Sequence, residues 1–419
     1  MHELGSFANG LLLLIRLLGF QWIAIGVQGL ISLVLGVLVA RSFGPEMFGI
    51  YSVALSVGVF LAILIDGGFG NLLQREAVSL TPDTEFDGAR LHGYAIGQAL
   101  MAIAGLLVFV LLVPLPFHRP TLLAVICAFG VAVIGQFFLA ILRGQGRLAR
   151  DALWQLVNRG LSAVCVLAVL WWGATQPWEV LAAQCIGSAA FVFYLIHLQR
   201  VKPLFPVPLN VYRAMLPMVW LNLVSVIYSR ADMVLLKLLD VPRSDIGFYG
   251  VAYRMMELVL LLAAPIGLML FRYFRLGDSG VPFSILRILR PAGAAALIGL
   301  IALGMFAIFG KYVIIVAFGE AFSPAATLLS VLAVSLIFAL ANGVLFQAAL
   351  AFGMERWCAI GATVAALGNV SANILMVPRH GVLAAAWITV ATEIVAGIFL
   401  LYGLLLKRQA WVIQVEAKD

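Results

Sequence analysis

The sequence predicts an all-α integral membrane protein with about twelve transmembrane helices in two pseudo-symmetric six-helix lobes. Three observations predict it. The first is composition: of 419 residues, 64% are hydrophobic and only 11% charged, whereas a soluble domain carries about 25% charged residues. In water such a chain would expose more apolar surface than solubility allows, so its solvent is lipid. The mean hydropathy of +1.10 agrees. The second is the spacing of apolar runs. A helix needs roughly 20 apolar residues to cross a hydrocarbon core of about 30 Å. Twelve segments meet this, near 18–40, 48–67, 91–113, 121–142, 153–173, 178–198, 215–238, 247–270, 291–309, 326–350, 356–378 and 382–405. The third is an internal repeat. Phe48-Gly49-Ile50-Tyr51-Ser52-Val53-Ala54 aligns with Ile246-Gly247-Phe248-Tyr249-Gly250-Val251-Ala252, with Gly, Tyr, Val and Ala matching at an offset of 198.

The segment ends are marked by residues that fit there. Prolines cluster between runs (Pro45, Pro82, Pro114, Pro116, Pro203, Pro206, Pro208, Pro378), and Trp171, Trp172, Trp178 and Tyr212 sit at edges, where amphipathic rings favour the membrane–water interface. The first matching stretch opens the second segment and its partner opens the eighth, in the same orientation. Parallel repeats of this kind are one transporter plan. The longest break, 199–214, carries three prolines. It reads as a cytoplasmic linker between an N-terminal lobe at 1–198 and a C-terminal lobe at 215–419.

Orientation follows from Lys and Arg. Eighteen fall in one set of loops, including Arg143, Arg147, Arg150 and Arg159 after the fourth segment, and six in the other. The positive-inside rule then puts both termini in the cytoplasm. The net charge of +7 is accounted for by these loops, which argues against nucleic acid as a partner. Cys127, Cys165, Cys185 and Cys358 all lie in apolar runs without CxxC spacing and read as small core residues. No HExxH or Cys/His cluster predicts a metal site. The opening Leu11–Leu18 run, broken by Arg16, continues into a full span and does not read as a cleavable signal peptide.

Ionisable residues inside a span cost several kcal/mol at least, so each is a functional candidate. The seventh segment carries Arg230 and Asp232, the eighth Arg254 and Glu257. Arg230 lies roughly 12 Å and Arg254 roughly 10 Å from the outer ends of antiparallel neighbours, so the four charges share one depth. Arg254 and Glu257, spaced i,i+3, can pair along one helix face. Arg230 and Asp232 point differently, and at least one of them should face a cavity or another helix. Structural pairing and substrate contact both fit this cluster. Glu393 sits near the middle of the last segment with no basic residue within a helical turn. A protonatable carboxyl there could couple proton flow to transport; a hydrogen bond to a neighbouring helix is the plainer role. Asp66, in Asp66-Gly67-Gly68-Phe69-Gly70-Asn71, lies at a cytoplasmic helix end that is neither a P-loop nor a dinucleotide fingerprint. Arg16 and Arg143 lie at the inner mouth of their lobe. They could attract a diphosphate, which guanidinium groups match bidentately, or serve topology alone. Gln21, Gln28, Asn222 and Asn369 are polar residues that suit either a cavity wall or helix–helix hydrogen bonds.

The stretch Ala40 to Tyr51, with Asp66-Gly67-Gly68-Phe69-Gly70, resembles the opening of polysaccharide biosynthesis proteins of the Wzx type, the O-antigen flippases. So do Tyr228-Ser229-Arg230-Ala231-Asp232-Met233-Val234-Leu235-Leu236, Ile246-Gly247-Phe248-Tyr249, Ala252-Tyr253-Arg254 and Gly319-Glu320-Ala321-Phe322. The likeness runs from about residue 18 to 405. It implies membership of the multidrug/oligosaccharidyl-lipid/polysaccharide exporter (MOP) superfamily, with two six-helix lobes around a central cavity and alternating access. It implies a substrate of undecaprenyl-diphosphate-linked oligosaccharide, an O-antigen or exopolysaccharide repeat unit flipped from the cytoplasmic to the periplasmic leaflet of a bacterial inner membrane. A downstream polysaccharide polymerase would be the partner. No cofactor is implied, and H⁺ or Na⁺ coupling stays open. Arg230, Asp232 and Arg254 match recurrent family motifs; Glu393 matches none. The chain has no two-helix C-terminal extension of the kind found in fourteen-span lipid II flippases, which argues against peptidoglycan precursors.

Three other functions fit the sequence less well. An ion-coupled drug or metabolite exporter of the same superfamily should carry acidic residues in the first lobe, where only Asp66 is found, at a helix end. A membrane glycosyltransferase, polymerase or ligase should carry a large outer loop with acidic residues. Here the outer loops are short; the first holds only Glu46 and the fifth only Glu320. A structural or scaffolding protein would have little use for intramembrane charge.

Overall fold

A computed structural model describes residues 2–78, 88–276 and 285–416; the side chains of 2–23, 78, 88, 214, 217, 262, 264, 265, 268, 276 and 408–416 lie outside that description. Among the described residues the chain is helical throughout, with no strand: α1 (His2–Asp66), α2 (Phe69–Val78), α3 (Gly88–Leu112), α4 (Arg119–Gly144), α5 (Leu148–Trp171), α6 (Pro177–Gln199), α7 (Leu209–Leu238), α8 (Arg243–Leu276), α9 (Ile285–Phe318), α10 (Ala325–Ala351) and α11 (Glu355–Glu416), with one 3₁₀ turn at Glu320–Phe322. Lipid explains this uniformity. Hydrocarbon offers no partner for a backbone N–H or C=O, and a helix satisfies both within itself.

Nine helices among the described residues are long and apolar enough to cross a membrane. Two of them are each a pair of spans. In α1 the backbone leaves helical geometry at Gly44 (φ 68°, ψ 177°), and in α11 at Gly381 (φ 64°, ψ −155°). A positive φ with extended ψ is open to glycine alone, and Pro45 then starts a new helix at the one position that suits it. α8, at 34 residues or about 51 Å, is also long enough to cross, and it completes the expected twelve. The protein is a multi-pass membrane protein.

The chain forms two compact units. The first comprises Met1–Phe43 and Ile50–Leu223, the second Gly44–Gly49 and Val224–Asp419. In the first, α4 is the central helix, packed by α2, α3 and α6, with α5 on the outer side of α6. Its core gathers Ile65, Phe69, Leu72, Phe137, Phe138 and Phe191, and it extends to Val207, Val211 and Met215. The proline-rich stretch after α6 is tied to α3, where the Leu204 amide donates to the Gly93 carbonyl at 3.0 Å. α5 is two-faced: Leu153, Val157, Leu161 and Val164 are exposed, while Asp151 and Ser162 are buried. In the second unit α10 is central, packed by α8, α9 and α11.

The repeat is visible in the element order. Residues 45–78 and 243–276 stand at the offset of 198 and end together. In the second unit this stretch is one helix. In the first it breaks after Asp66, whose carboxylate accepts the amides of Gly68 (2.9 Å) and Gly70 (3.0 Å) and so caps α2. Asp66 therefore has a structural task at that helix start. The repeated Tyr, Val and Ala residues are buried in both copies. The repeated glycines meet each other inside the second unit. A Cβ on Gly49 would overlap the Arg243 carbonyl oxygen, and a Cβ on Gly247 would overlap that of Pro45. Two helix starts thus touch backbone to backbone, which a side chain would prevent.

This contact yields a prediction. Gly247→Ala should destabilise the purified protein by about 1–3 kcal/mol, the usual cost of overpacking, visible as a lower melting temperature in detergent. An unchanged melting temperature would show that the two helix starts do not touch.

Candidate functional site

The four charges expected at one depth in the seventh and eighth segments come together in the second unit. Arg230 on α7 forms an ion pair with Glu257 on α8, and its guanidinium lies 5.5 Å from the Tyr253 ring centroid. This pairing runs between helices, which spacing along one helix does not suggest. A guanidinium reaches a carboxylate across the α7–α8 contact while also covering an aromatic face, which gains cation–π attraction. Arg254 places its guanidinium 5.3 Å from the ring centroid of Phe48, the residue beside the glycine contact. Asp232 is buried. It accepts a hydrogen bond from the Tyr249 hydroxyl and one from the Met233 amide at 2.8 Å. Tyr249, a repeat residue, therefore anchors the Asp232 carboxylate. Tyr253 donates to the Ser229 carbonyl at 2.5 Å, so α7 and α8 are joined by polar contacts over nearly two turns.

Glu393 lies on α11 with no charged partner among the contacts described for it. Tyr228 Oη donates to its Oε1 at 2.6 Å. Asn342 Nδ2 on α10 donates to Glu393 Oε2 and to the Glu393 backbone carbonyl, both at 2.8 Å. Two neutral donors, one per carboxyl oxygen, hold the group between α7, α10 and α11. Neither Tyr228 nor Asn342 was singled out from sequence for this role. They stand 165 and 51 residues away, and no local spacing links them to Glu393. Asn369 is a helix–helix residue: its Nδ2 donates to Thr392 Oγ1 at 3.1 Å.

In the first unit, Arg143 is engaged by Asp151 at 3.3 Å and by Gln136 at 3.4 Å, and Gln155 donates to the other Asp151 oxygen at 2.9 Å. Arg143 at the predicted mouth is thus charge-balanced by a carboxylate. Arg16 lies among the side chains outside the description. Arg159, counted above as a loop cation, lies in the middle of α5, and its Nη2 donates to Ser32 Oγ on α1 at 2.5 Å. The spacing of Asp151, Gln155 and Arg159, opposite Leu153, Val157 and Leu161, was the signal that could have found it. Among the described residues no three His, Cys, Asp or Glu side chains group as a metal site.

Buried carboxylates and half-buried guanidiniums inside apolar helices, in two helical units, define a polytopic membrane protein with a polar interior. Solved structures share the fold. The chain is similar to the lipid II flippase MurJ in an inward closed conformation, with 16% identity, 96% of this chain and 92% of that chain covered, and a TM-score of 0.76. It is similar to an inward-facing multidrug resistance MATE family transporter of the MOP superfamily, at 15% identity, 92% and 95% coverage and a TM-score of 0.65. It is also similar to a MOP superfamily transporter from Pyrococcus furiosus, at 14% identity, 95% coverage of both chains and a TM-score of 0.59. No curated protein matches it in sequence. The chain belongs to the polysaccharide biosynthesis protein family, whose profile matches residues 18–274. The profile places the chain in the family, and the solved structures show that it shares their fold.

The cross-helix ion pair predicts non-additivity. In a double-mutant cycle on thermal stability, Arg230→Ala and Glu257→Ala should couple by about 0.5–3 kcal/mol, the range for residues in one polar network. Strictly additive losses would mean that the two side chains do not pair.

Proposed function

We propose that the protein flips a lipid-linked oligosaccharide, with a polyprenyl diphosphate anchor such as undecaprenyl diphosphate, from the cytoplasmic to the outer leaflet of a bacterial inner membrane. The observation that carries the reading is arginine placed within membrane spans of a polysaccharide biosynthesis family member. A diphosphate sugar cannot cross hydrocarbon unaided, because burying its charges is prohibitive. A protein route must supply compensating cations, and Arg does so in a geometry that matches phosphate. In this reading both termini are cytoplasmic, the product passes to a polymerase that extends O-antigen or exopolysaccharide, and Arg230, Arg254, Arg16, Arg143 and Asp232 contact or shape the substrate path. Arg230 serves the path while paired with Glu257, so a passing phosphate would have to compete with that carboxylate.

The test is deletion of the gene in its host, followed by mass spectrometry of extracted polyprenyl lipids and an impermeant sugar-modifying reagent. A protected, cytoplasm-facing diphosphate-linked oligosaccharide should accumulate, be relieved by the wild-type protein, and persist with Arg230→Ala. Build-up exposed on the outer leaflet would instead place the defect in a later step and defeat the proposal.

A second reading, an ion-coupled exporter, is favoured by one observation: the half-buried Glu393 carboxyl held by neutral donors. The same group can serve a proton-coupled flippase, so it is tested separately. Glu393→Gln keeps both hydrogen-bonding neighbours but cannot ionise. Transport by this variant should be lower by roughly tenfold or more, as for loss of a positioned proton-transfer group, and flat with pH. Normal transport with the wild-type pH profile would remove Glu393 from coupling.

A further inference from the structure

We propose that the end of α8 and the start of α9 hold the phosphate of an anionic phospholipid, through Arg272, Arg275 and Arg290. The partner is the surrounding bilayer, so the site does not depend on the flippase reading.

Helix length sets the place. α8 has 34 residues, or about 51 Å, against a hydrocarbon core of about 30 Å. Its apolar run stops near residue 270, and the run in α9 begins near 291. Arg272 and Arg275 therefore follow the hydrocarbon on α8, and Arg287 and Arg290 precede it on α9. All four stand within about two helical turns of a hydrocarbon edge. The polar layer of a bilayer reaches roughly 5–8 Å beyond the core on each side, and lipid phosphates lie in it. This is the membrane face on which most of the loop Lys and Arg fall.

The two helix ends are joined, and the contacts fix their arginines. Phe274 and Ile288 are buried in one cluster with Ala351 and Leu404. Beside it, the Arg287 guanidinium lies 4.6 Å from the Tyr273 ring centroid, and its Nη2 donates to the Tyr273 carbonyl at 3.3 Å. Arg275 Nη1 donates to the Ala351 carbonyl at the end of α10, at 2.9 Å. That bond takes one of five N–H donors in a fixed fork. Arg272, Arg275 and Arg290 are exposed around the Arg287–Tyr273 stack. Tyr273, Leu286 and Leu289 are exposed with them. Among the described residues 272–276 and 285–290 there is no Asp or Glu. Glu355 and Arg356, exposed at the start of α11, add no net charge. The positive-inside rule asks for charge in this region. It does not ask for guanidiniums held on a ring and a helix end, or for leucines between them. A phospholipid uses both features: its phosphate meets the guanidiniums bidentately, and its glycerol and first acyl carbons meet Tyr273 and the leucines. Basic clusters at this depth attract anionic lipid, whereas a zwitterionic headgroup brings its own cation.

Native mass spectrometry of the purified full-length protein tests the site, with phosphatidylglycerol as the probe and phosphatidylcholine as the zwitterionic arm. Wild type should bind phosphatidylglycerol the more tightly. Arg272→Gln combined with Arg290→Gln should bind it roughly ten- to thirtyfold more weakly, at about fivefold per arginine. This double variant should keep the wild-type affinity for phosphatidylcholine and the wild-type melting temperature. Arg147→Gln combined with Arg150→Gln removes the same charge from exposed positions of the first unit and should bind phosphatidylglycerol as wild type does. Equal losses in the two double variants would reduce the effect to net charge and overturn the site. Equal affinity of wild type for the two lipids would overturn it too. Farnesyl diphosphate at equal concentration should leave phosphatidylglycerol bound; full displacement would give the patch to a diphosphate anchor and defeat the proposal. If the double variant does not fold, Arg290→Gln decides alone, with a loss of about fivefold expected and unchanged affinity counting against the site. Lipid binding is read without transport, so failure here leaves the flippase reading intact, and failure of the deletion-strain test leaves this site standing.

Discussion

The cost of charge in hydrocarbon governs this molecule. It forces the backbone into helices, which satisfy their own hydrogen bonds, and it makes every ionisable side chain within a span answer for its position. The second unit answers by pairing: Arg230 with Glu257, Asp232 with Tyr249, Glu393 with Tyr228 and Asn342. Each of these joins two helices, so the groups that are expensive to bury also fix the register of α7, α8, α10 and α11. The first unit answers differently. Its buried carboxylate, Asp151, is balanced locally, and its mid-depth cation is held by a hydroxyl.

The two units thus share a plan but not a charge pattern. Each has a central helix, α4 or α10, wrapped by its neighbours. Within that plan the first unit carries a guanidinium at mid-depth and the second a carboxyl that meets only neutral donors. A duplicated scaffold permits this, because the packing residues are kept while polar positions diverge.

How much of this was legible in the sequence follows from the range of the interactions. Span number and order were readable, because hydrophobic length is local information: the run read at 326–350 is a helix at Ala325–Ala351, and 178–198 one at Pro177–Gln199. The repeat was readable from four matched residues, which are buried ones. The charge cluster was readable as a depth but not as a set of partners, because Arg254–Glu257 is the only pairing that spacing along one helix can suggest. Arg159 was counted as a loop cation although the segment read at 153–173 already contains it, and the helix from Leu148 puts it in the middle of α5. The partners of Glu393 come from two other helices, and no periodicity in one segment reports them.

The glycine contact has a consequence for how the chain can change over evolutionary time. Gly49 faces Arg243 and Gly247, while Gly247 faces Pro45 and Gly49, so each residue meets the counterpart of its own neighbour. Such reciprocity is what a twofold axis produces in a homodimer, where one patch is complementary to itself. If the two halves descend from one duplicated gene, a single ancestral glycine would have supplied both sides of this junction. A compensating pair of substitutions is closed to it: enlarging one side demands a smaller residue opposite, and nothing is smaller than glycine. While Tyr, Phe and Ile can drift around it, this junction is held at its lower size limit in both copies at once.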